Sequence, residues 1–269
     1  MVNFLFSDAA MPSWNGFMQE SSSGEYSVSS TKILPFINRN PSDPSTIFTA
    51  LTFAAEECKK LNQPLCSVTF DQPLFAKAAQ IVADDGLSGP LSTVVVRLGG
   101  FHLLMSFLGA IGKIMEGSGL EELWTTVYAK NSVNQMMEGR AYARSVRAHI
   151  LTSLALHLEI LKDSAVPVEW NAQLQELRSK MLADKMSVFD VSREPALSAF
   201  MDELTYTYLS AKGVSRTGEY WVQYMGLVDL LRLYLRSERT GDWALHLLSI
   251  RQMIPVFHSA GKRIISKNI

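Results

Sequence analysis

Residues 64–102 read PLCSVTFDQPLFAKAAQIVADDGLSGPLSTVVVRLGGFH, and this stretch decides the fold. Leu65–Phe70 is a short apolar, β-branched run after a proline, which indicates a buried strand. Thr93–Leu98 is almost continuously apolar, as a strand covered on both faces should be. Phe75–Val82 has a helical pattern. Two apolar strands joined through a helix predict a β-α-β unit with parallel strands and a right-handed crossover.

Polar residues and glycines stand where these two strands end. Functional residues of such sheets gather at the carboxyl ends of the strands. Asp71 follows the first strand, and Gly99, Gly100 and His102 follow the second. Asp71 fits a metal ligand and the N-cap of the helix that opens at Pro73 equally well, since one carboxylate can do both. For His102, a first-turn histidine bonded to nearby backbone is favoured over a metal or phosphate ligand.

Composition bounds the class of protein. The chain has 269 residues, of which 47% are hydrophobic and 19% charged, as is typical of a globular protein. Its formal net charge of −1 means that any phosphate contact must come from a local patch. Cys58 and Cys66 are the only cysteines, too few for a disulfide framework, which favours a reduced intracellular protein. We see no signal peptide and no apolar run of ~20 residues, and expect a soluble protein of the nucleus or cytoplasm.

Three regions are predicted along the chain. Residues 1–45 are expected to form an extended arm and a Ser-rich loop, with Trp14 and Phe17 as anchors. Residues 46–116 form an α/β core, and residues 117–269 form a helical region. The fold class is therefore α+β and predominantly helical, with a small β-α-β half followed by a larger all-helical half.

Apolar spacing places the helices. The predicted helices are Thr46–Leu61, Phe101–Met115, Leu120–Ala129, Ser132–Met137, Arg140–Leu161, Trp170–Met181, Leu197–Tyr208, Tyr220–Leu235 and Trp243–Ala260. Tyr220–Leu235 is apolar almost all round, so we expect it to be central. On Arg140–Leu161, the residues expected to face the core are Val146, Ile150, Leu154, Leu158 and Leu161.

Three arginines form a candidate nucleic-acid contact. Arg140, Arg144 and Arg147 recur at helical spacing and are predicted to share one face. Such a stripe could bind phosphates. A solvated face paired with acids such as Glu138 is favoured. His149 follows on the same helix, but the HExxH pattern is absent, so zinc is not expected.

Six strings carry a resemblance to a known family. They are Met11-Pro12-Ser13-Trp14-Asn15, Thr69-Phe70-Asp71-Gln72-Pro73-Leu74-Phe75, Arg97-Leu98-Gly99-Gly100-Phe101-His102, Gly117-Ser118-Gly119-Leu120, Tyr128-Ala129-Lys130-Asn131-Ser132-Val133 and Arg144-Ser145-Val146-Arg147-Ala148-His149. From about Met11 to Ala260, the chain resembles a family of mobile-element-derived animal proteins of unknown function. That family is similar to a divergent ribonuclease-H-like, DDE-type transposase core with a late helical insertion.

The resemblance implies a metal site that has decayed. Such cores use three acidic residues to hold two divalent metal ions. Asp71 matches the second acid and would be a vestigial catalytic residue, with Asp71 and His102 as the candidate metal ligands. No acidic residue on a strand before Asp71 matches the first of the three acids. The segment that the resemblance expects to carry the third acid would lie beyond Ile269. The resemblance therefore implies a truncated or decayed copy, or a fragmentary gene model.

Two function classes stay open. The first is a transposon-derived ribonuclease-H-like protein, a catalytically inactive fragment of a DNA-processing enzyme, without a cofactor unless Mg²⁺ binds a surviving site. The second is a non-enzymatic helical module that binds a protein partner. Nucleic acid could bind through Arg140, Arg144 and Arg147, and no membrane partner is expected. A carboxylate within metal-bridging reach of Asp71 would favour the first class, whereas an Asp71 that faces only backbone amides would favour the second.

Overall fold

The computed structural model describes residues 31–163, 168–183 and 193–261. Most of the predicted arm, with Trp14 and Phe17, lies outside these ranges, as does the end of the predicted helical region after residue 261. None of the helices in the described ranges combines the length and the apolar composition that a membrane span requires.

The described residues form ten α-helices and two β-strands. In chain order they are α1 Pro44–Lys60, β1 Cys66–Phe70, α2 Gln72–Asp85, β2 Val94–Leu98, α3 Gly100–Ile114, α4 Leu120–Thr125, α5 Lys130–Met137, α6 Tyr142–Asp163, α7 Val168–Leu182, α8 Pro195–Val214, α9 Arg216–Thr240 and α10 Trp243–Ser259. The α+β, mostly helical class is confirmed.

The β-α-β unit forms as predicted. Strands β1 and β2 pair in parallel, with Cys66 opposite Val94 and Phe70 opposite Leu98. Helix α2 makes the crossover and is longer than its apolar pattern indicated, because Asp71 caps its start and Gly86 ends it with a φ of 73°. Within the described ranges, no strand follows β2. The expected sequence of an α/β half and a helical half is therefore confirmed.

Two apolar cores divide the molecule. A small core joins α1, α2 and one face of the sheet through residues such as Leu51, Ala78 and Val94. The larger core contains most of the helical half and includes Phe107 and Ile111 of α3. Helix α3 therefore packs with the helical half.

Helix α9 is the centre of the larger core. It contacts α3, α6, α8 and α10, and its residues Tyr224, Leu231 and Tyr234 are fully buried. The prediction of a central helix is confirmed. The helix is longer than the apolar stretch that predicted it, because Ser215 caps its start through the Gly218 amide and Gly241 ends it in the left-handed conformation.

The face on which helix α6 packs overlaps only in part with the one we predicted. Val146 and Ile150 lie half-buried against the larger core, as expected, and Leu158 is half-buried. The side chain of Leu161 lies outside the described residues. The fully buried residues include Ser145, His149, Thr152 and Ser153, whereas Leu154 is exposed. The buried face lies about a quarter turn from the predicted one, given 3.6 residues per turn. Hydrogen bonds satisfy the buried hydroxyls in this orientation. The Thr152 hydroxyl accepts from Nε1 of Trp124, and the Ser145 hydroxyl donates to the Met136 carbonyl.

Truncation of a central leucine tests the position of α9. Leu231 is 0% exposed, and Leu233 of the same helix is 36% exposed. We expect Leu231→Ala to lower the free energy of unfolding by about 2–5 kcal/mol, because it leaves a cavity in the larger core. Leu233→Ala, the matched control, should cost about 0.5 kcal/mol or less. Urea unfolding followed by far-UV circular dichroism measures both, and equal effects would contradict the central position.

Candidate functional site

Asp71 lies at the carboxyl end of β1 and caps α2. Its side chain is exposed, and its Oδ1 accepts a hydrogen bond from the Leu74 amide at 3.1 Å. This is the geometry of an N-cap, which satisfies one of the free amides at the start of a helix. The capping role that the sequence indicated is therefore present in the structure.

His102 lies in the first turn of α3. It is half-buried, and its ring meets that of Phe101 edge-on, with the ring centres 5.8 Å apart. None of the hydrogen bonds found among the described residues involves its ring, so the expected bond to nearby backbone is not seen there. In the same part of the chain, no group of three or more His, Cys, Asp and Glu residues is arranged to hold a metal ion. Binding of a metal ion by Asp71 and His102 stays a prediction. The described residues place no third His, Cys, Asp or Glu with these two as a metal-binding group.

The helical half covers the carboxyl end of β2. The Gly99 amide donates to the Phe70 carbonyl at 2.8 Å, which continues the strand pairing by one residue. At Gly100, an added Cβ would lie 2.4 Å from Oε2 of Glu238 and 2.9 Å from the Tyr234 hydroxyl. Gly100 therefore lets α9 bring two polar side chains directly onto the end of the sheet.

Five side chains from three elements meet at this point, and we call them the sheet-end cluster: Arg97, Tyr234, Glu238, Trp243 and His246. The Arg97 guanidinium lies over the Trp243 ring at 4.6 Å, which is cation–π distance. The Trp243 and His246 rings stack with centres 5.0 Å apart. Nδ1 of His246 is 2.7 Å from Oε1 of Glu238. The angles of this contact are not those of a hydrogen bond, and Nδ1 has no hydrogen-bond partner among the described residues.

Burial sets the protonation states in the sheet-end cluster. Desolvation lowers the pKa of His246, Arg97 acts in the same direction, and the Glu238 carboxylate opposes them. Burial raises the pKa of Tyr234, and the Glu238 charge adds to that effect. The Tyr234 phenol is therefore neutral and lies beside the His246–Glu238 pair. These side chains pack α9 and α10 of the helical half against the end of β2.

The three predicted arginines do not form one helical stripe. Arg140 precedes α6 and forms an ion pair with Glu138 at 2.5 Å, at the edge of a cleft of about 650 Å³. Arg144 donates to the Ser132 hydroxyl at 3.0 Å, and Arg147 is exposed. The expectation of a shared face is wrong for Arg140, because the helix begins only at Tyr142. The pairing of Arg140 with Glu138 is as expected, and nucleic-acid binding stays a prediction.

A second polar cluster lies inside the helical half, around His149. This side chain is fully buried, and its Nδ1 is 2.9 Å from the Tyr224 hydroxyl. The Trp124 ring meets the imidazole edge-on at 4.8 Å. Burial lowers the pKa of His149 to about 3, so the ring is neutral at physiological pH, and its Nε2 has no partner among the described residues.

Sequence reasoning missed both clusters as assemblies. The members of the sheet-end cluster come from β2 and from the consecutive helices α9 and α10, which lie more than 100 residues after β2 in the chain. A partial signal was available, because Tyr234 and Glu238 are four residues apart on one helix, and Trp243 and His246 are three apart on the next. Which helix faces meet the sheet end is decided by packing, and spacing within one helix does not contain that information.

Comparison with known proteins gives one finding. A family model described as "Domain of unknown function (DUF8702)" matches residues 13–268, which is nearly the whole chain. No curated protein and no solved structure matches.

The buried imidazole predicts a loss of stability in acid. His149 has a folded-state pKa of about 3 and an unfolded value of about 6.5. Its contribution is therefore present above pH 6.5 and is lost as the pH falls below that value, since the unfolded chain then binds the extra proton. We expect the free energy of unfolding to fall by up to about 1.4 kcal/mol per pH unit between pH 6 and pH 5 from this residue.

The measurement is urea unfolding at pH 7, 6 and 5. His149→Gln should flatten the pH dependence, because the amide does not titrate in this range. His258→Gln, on the exposed side of α10, is the matched control and should retain the wild-type slope. An unchanged slope in His149→Gln would contradict the assignment.

Proposed function

The chain belongs to the family described as Domain of unknown function (DUF8702), and from this premise we propose that it is a catalytically inactive relative of a mobile-element DNA-processing enzyme with a ribonuclease-H-like core. The proposal combines the family resemblance of the sequence strings with the parallel β-α-β unit that carries Asp71. One observation carries the inactive part: the Asp71 carboxylate is engaged as a helix cap at the end of β1.

The chemistry of such enzymes explains why that matters. Two-metal catalysis clamps the attacking and leaving oxygens of a phosphoryl group between two ions, which several carboxylates must hold. Asp71 lies at the correct end of a strand, but its Oδ1 accepts the Leu74 amide. Its capping role alone is sufficient reason for an aspartate at this position.

The surroundings of the strand ends support the same proposal. In open α/β sheets, ligands bind in the crevice outside the carboxyl ends of the strands. Here the ends of the Glu238 and Tyr234 side chains lie so close to Gly100 that an added Cβ would displace them. The carboxyl end of β2 therefore serves as a packing surface for α9 and α10.

Two Asp71 variants separate the capping role from a catalytic role. Asp71→Asn keeps an equally good cap but removes the charge, and Asp71→Ala removes both. We expect no metal-dependent nicking of plasmid DNA in Mg²⁺ or Mn²⁺ by the wild type or by either variant. We also expect Asp71→Ala to lower the free energy of unfolding by about 1 kcal/mol, with little change in Asp71→Asn.

A nicking time course and urea unfolding of the same preparations provide the two measurements. Asp43→Ala, which removes the corresponding cap of α1, is the matched control for stability. Nicking by the wild type that disappears in Asp71→Asn, at unchanged stability, would overturn the proposal. Nicking that persists in both variants would also overturn it, and would locate an active site elsewhere.

A second candidate function, a helical module that binds a protein partner, is favoured by the outer face of α6. We define this face as Arg144, Arg147, Leu151 and Leu154. All four side chains are exposed, Leu151 by 51% and Leu154 by 41%. The helix packs apolar residues such as Ile150 against the larger core but also leaves these two leucines in water, on the side where an ordinary amphipathic surface helix has polar residues. Exposed apolar residues grouped in this way are typical of interaction sites.

A neighbouring segment also exposes apolar side chains. The Trp124 indole donates to the Thr152 hydroxyl at 3.0 Å and so holds α4 beside α6. Leu123 and Val127, on either side of Trp124 in sequence, are also exposed. The two arginines lie at one end of the surface. This distribution fits an amphipathic partner helix whose acidic residues flank its apolar stripe.

Two synthetic helical peptides test this second function. They share one apolar stripe, and one peptide has Glu flanks while the other has Lys flanks. We expect the acidic peptide to bind at least tenfold more tightly in a fluorescence anisotropy titration, because its charge complements Arg144 and Arg147. Leu151→Lys should abolish this binding, whereas Leu233→Lys, at an exposed leucine of α9, should not. Equal affinity for the two peptides, or binding that survives in Leu151→Lys, would reject this face as the site.

A further inference from the structure

The two cysteines of the chain meet in the small core. Cys58 lies in the last turn of α1, and Cys66 is the first residue of β1. Both thiols are free, and Cys58 packs against the core cluster that contains Cys66. Helix α1, which carries Cys58, also contacts strand β1, which begins with Cys66.

A tight turn causes this meeting. Asn62 adopts the left-handed conformation with a φ of 57°, and the Gln63 amide donates back to the Cys58 carbonyl at 3.0 Å. The chain therefore reverses directly after α1. At the other end, the Cys66 amide donates to the Thr93 carbonyl at 2.9 Å, which fixes the start of β1 against β2. Both cysteines are thus held by backbone hydrogen bonds on either side of a short connection.

The environments of the two thiols differ. Cys66 is 3% exposed, whereas Cys58 is only half-buried. Burial raises the pKa of Cys66 to about 11, and the Cys58 side chain adds to this effect. An oxidant dissolved in water would therefore meet Cys58 first, because reactivity follows exposure and thiolate character.

We propose that Cys58 and Cys66 form a reversible oxidation site, which closes to a disulfide in the presence of a peroxide and reopens with a thiol reductant. The Cys58 thiolate attacks one peroxide oxygen, the O–O bond breaks and hydroxide leaves, so that Cys58 becomes a sulfenic acid. The Cys66 sulfur then attacks the Cys58 sulfur, the S–O bond breaks, and the oxygen leaves as water with the Cys66 proton. In total, two thiols and one hydrogen peroxide give one disulfide and two waters.

The disulfide would change the α/β half in a defined way. It would tie the last turn of α1 covalently to the first residue of β1, where only the turn and the core packing now hold them. A crosslink restricts the unfolded chain, so the oxidised form should unfold at a higher temperature than the reduced form. The oxidation site would therefore respond to peroxide by stabilising the half of the molecule that carries Asp71. This inference does not depend on the proposed function.

The experiment treats the full chain with hydrogen peroxide in the presence and absence of dimedone, which traps sulfenic acids. In the wild type, we expect both thiols to disappear together in an Ellman titration, with a mass loss of two hydrogens and one peptide crosslink between Cys58 and Cys66. Dithiothreitol should restore both thiols. The melting midpoint should rise on oxidation and return on reduction.

Two isosteric variants keep the test decisive. Cys66→Ser should accumulate a dimedone adduct on Cys58, because no second thiol resolves the sulfenic acid. Cys58→Ser should react at least tenfold more slowly than the wild type, because only the buried thiol remains. Neither variant should show the rise in melting midpoint. Three outcomes would overturn the proposal. The first is a wild type that forms a stable dimedone adduct on Cys58 while Cys66 stays titratable. The others are disulfides that form only between chains, and an oxidised form that melts at a lower temperature than the reduced form.

Discussion

Burial of the apolar side chains of α9 among its neighbouring helices is the interaction on which the rest of the structure depends. This helix contacts α3, α6, α8 and α10, and its apolar side chains fill the space between them. The neighbouring helices also bury polar side chains against this core, among them His149 of α6 and His246 of α10. The core is stable only if these groups find partners, since an unpaired buried polar group costs about 1–3 kcal/mol. Helix α9 supplies one such partner with the Tyr224 hydroxyl, which lies 2.9 Å from Nδ1 of His149, and it places a second tyrosine, Tyr234, at the end of the sheet.

The two tyrosines face different parts of the molecule. The Tyr224 hydroxyl meets His149, which lets α6 turn a row of polar side chains inward. Ten residues further along α9, Tyr234 and then Glu238 reach the end of β2 beside Gly100. One helix therefore links the interior of the helical half to the sheet. This arrangement explains why two apolar cores, separate in their residues, form a single structure.

The same packing shapes what the molecule can do. The end of a parallel sheet is usually open to ligands, but here Arg97, Trp243 and His246 stack over it together with Glu238. Because α6 is rotated, its arginines and two leucines lie on the outside. The proposed loss of catalysis thus relates to the packing of α9 and α10 on the sheet end, whereas the proposed protein contact relates to the packing of α6 within the helical half.

The sequence by itself determined the elements and their order. The β-branched runs before Asp71 and Gly99 fixed two parallel strands, and the continuous apolar pattern of Tyr220–Leu235 fixed the central helix, since both signals depend on neighbours along the chain. Tertiary structure alone decided which face of α6 is buried, because the Trp124 and Tyr224 partners of that face come from other helices. It also decided that Tyr234 and Glu238 lie against Gly100, more than 130 residues away in sequence. The spacing of apolar residues along the chain indicates where each helix lies, whereas packing between helices decides which side chains contact each other.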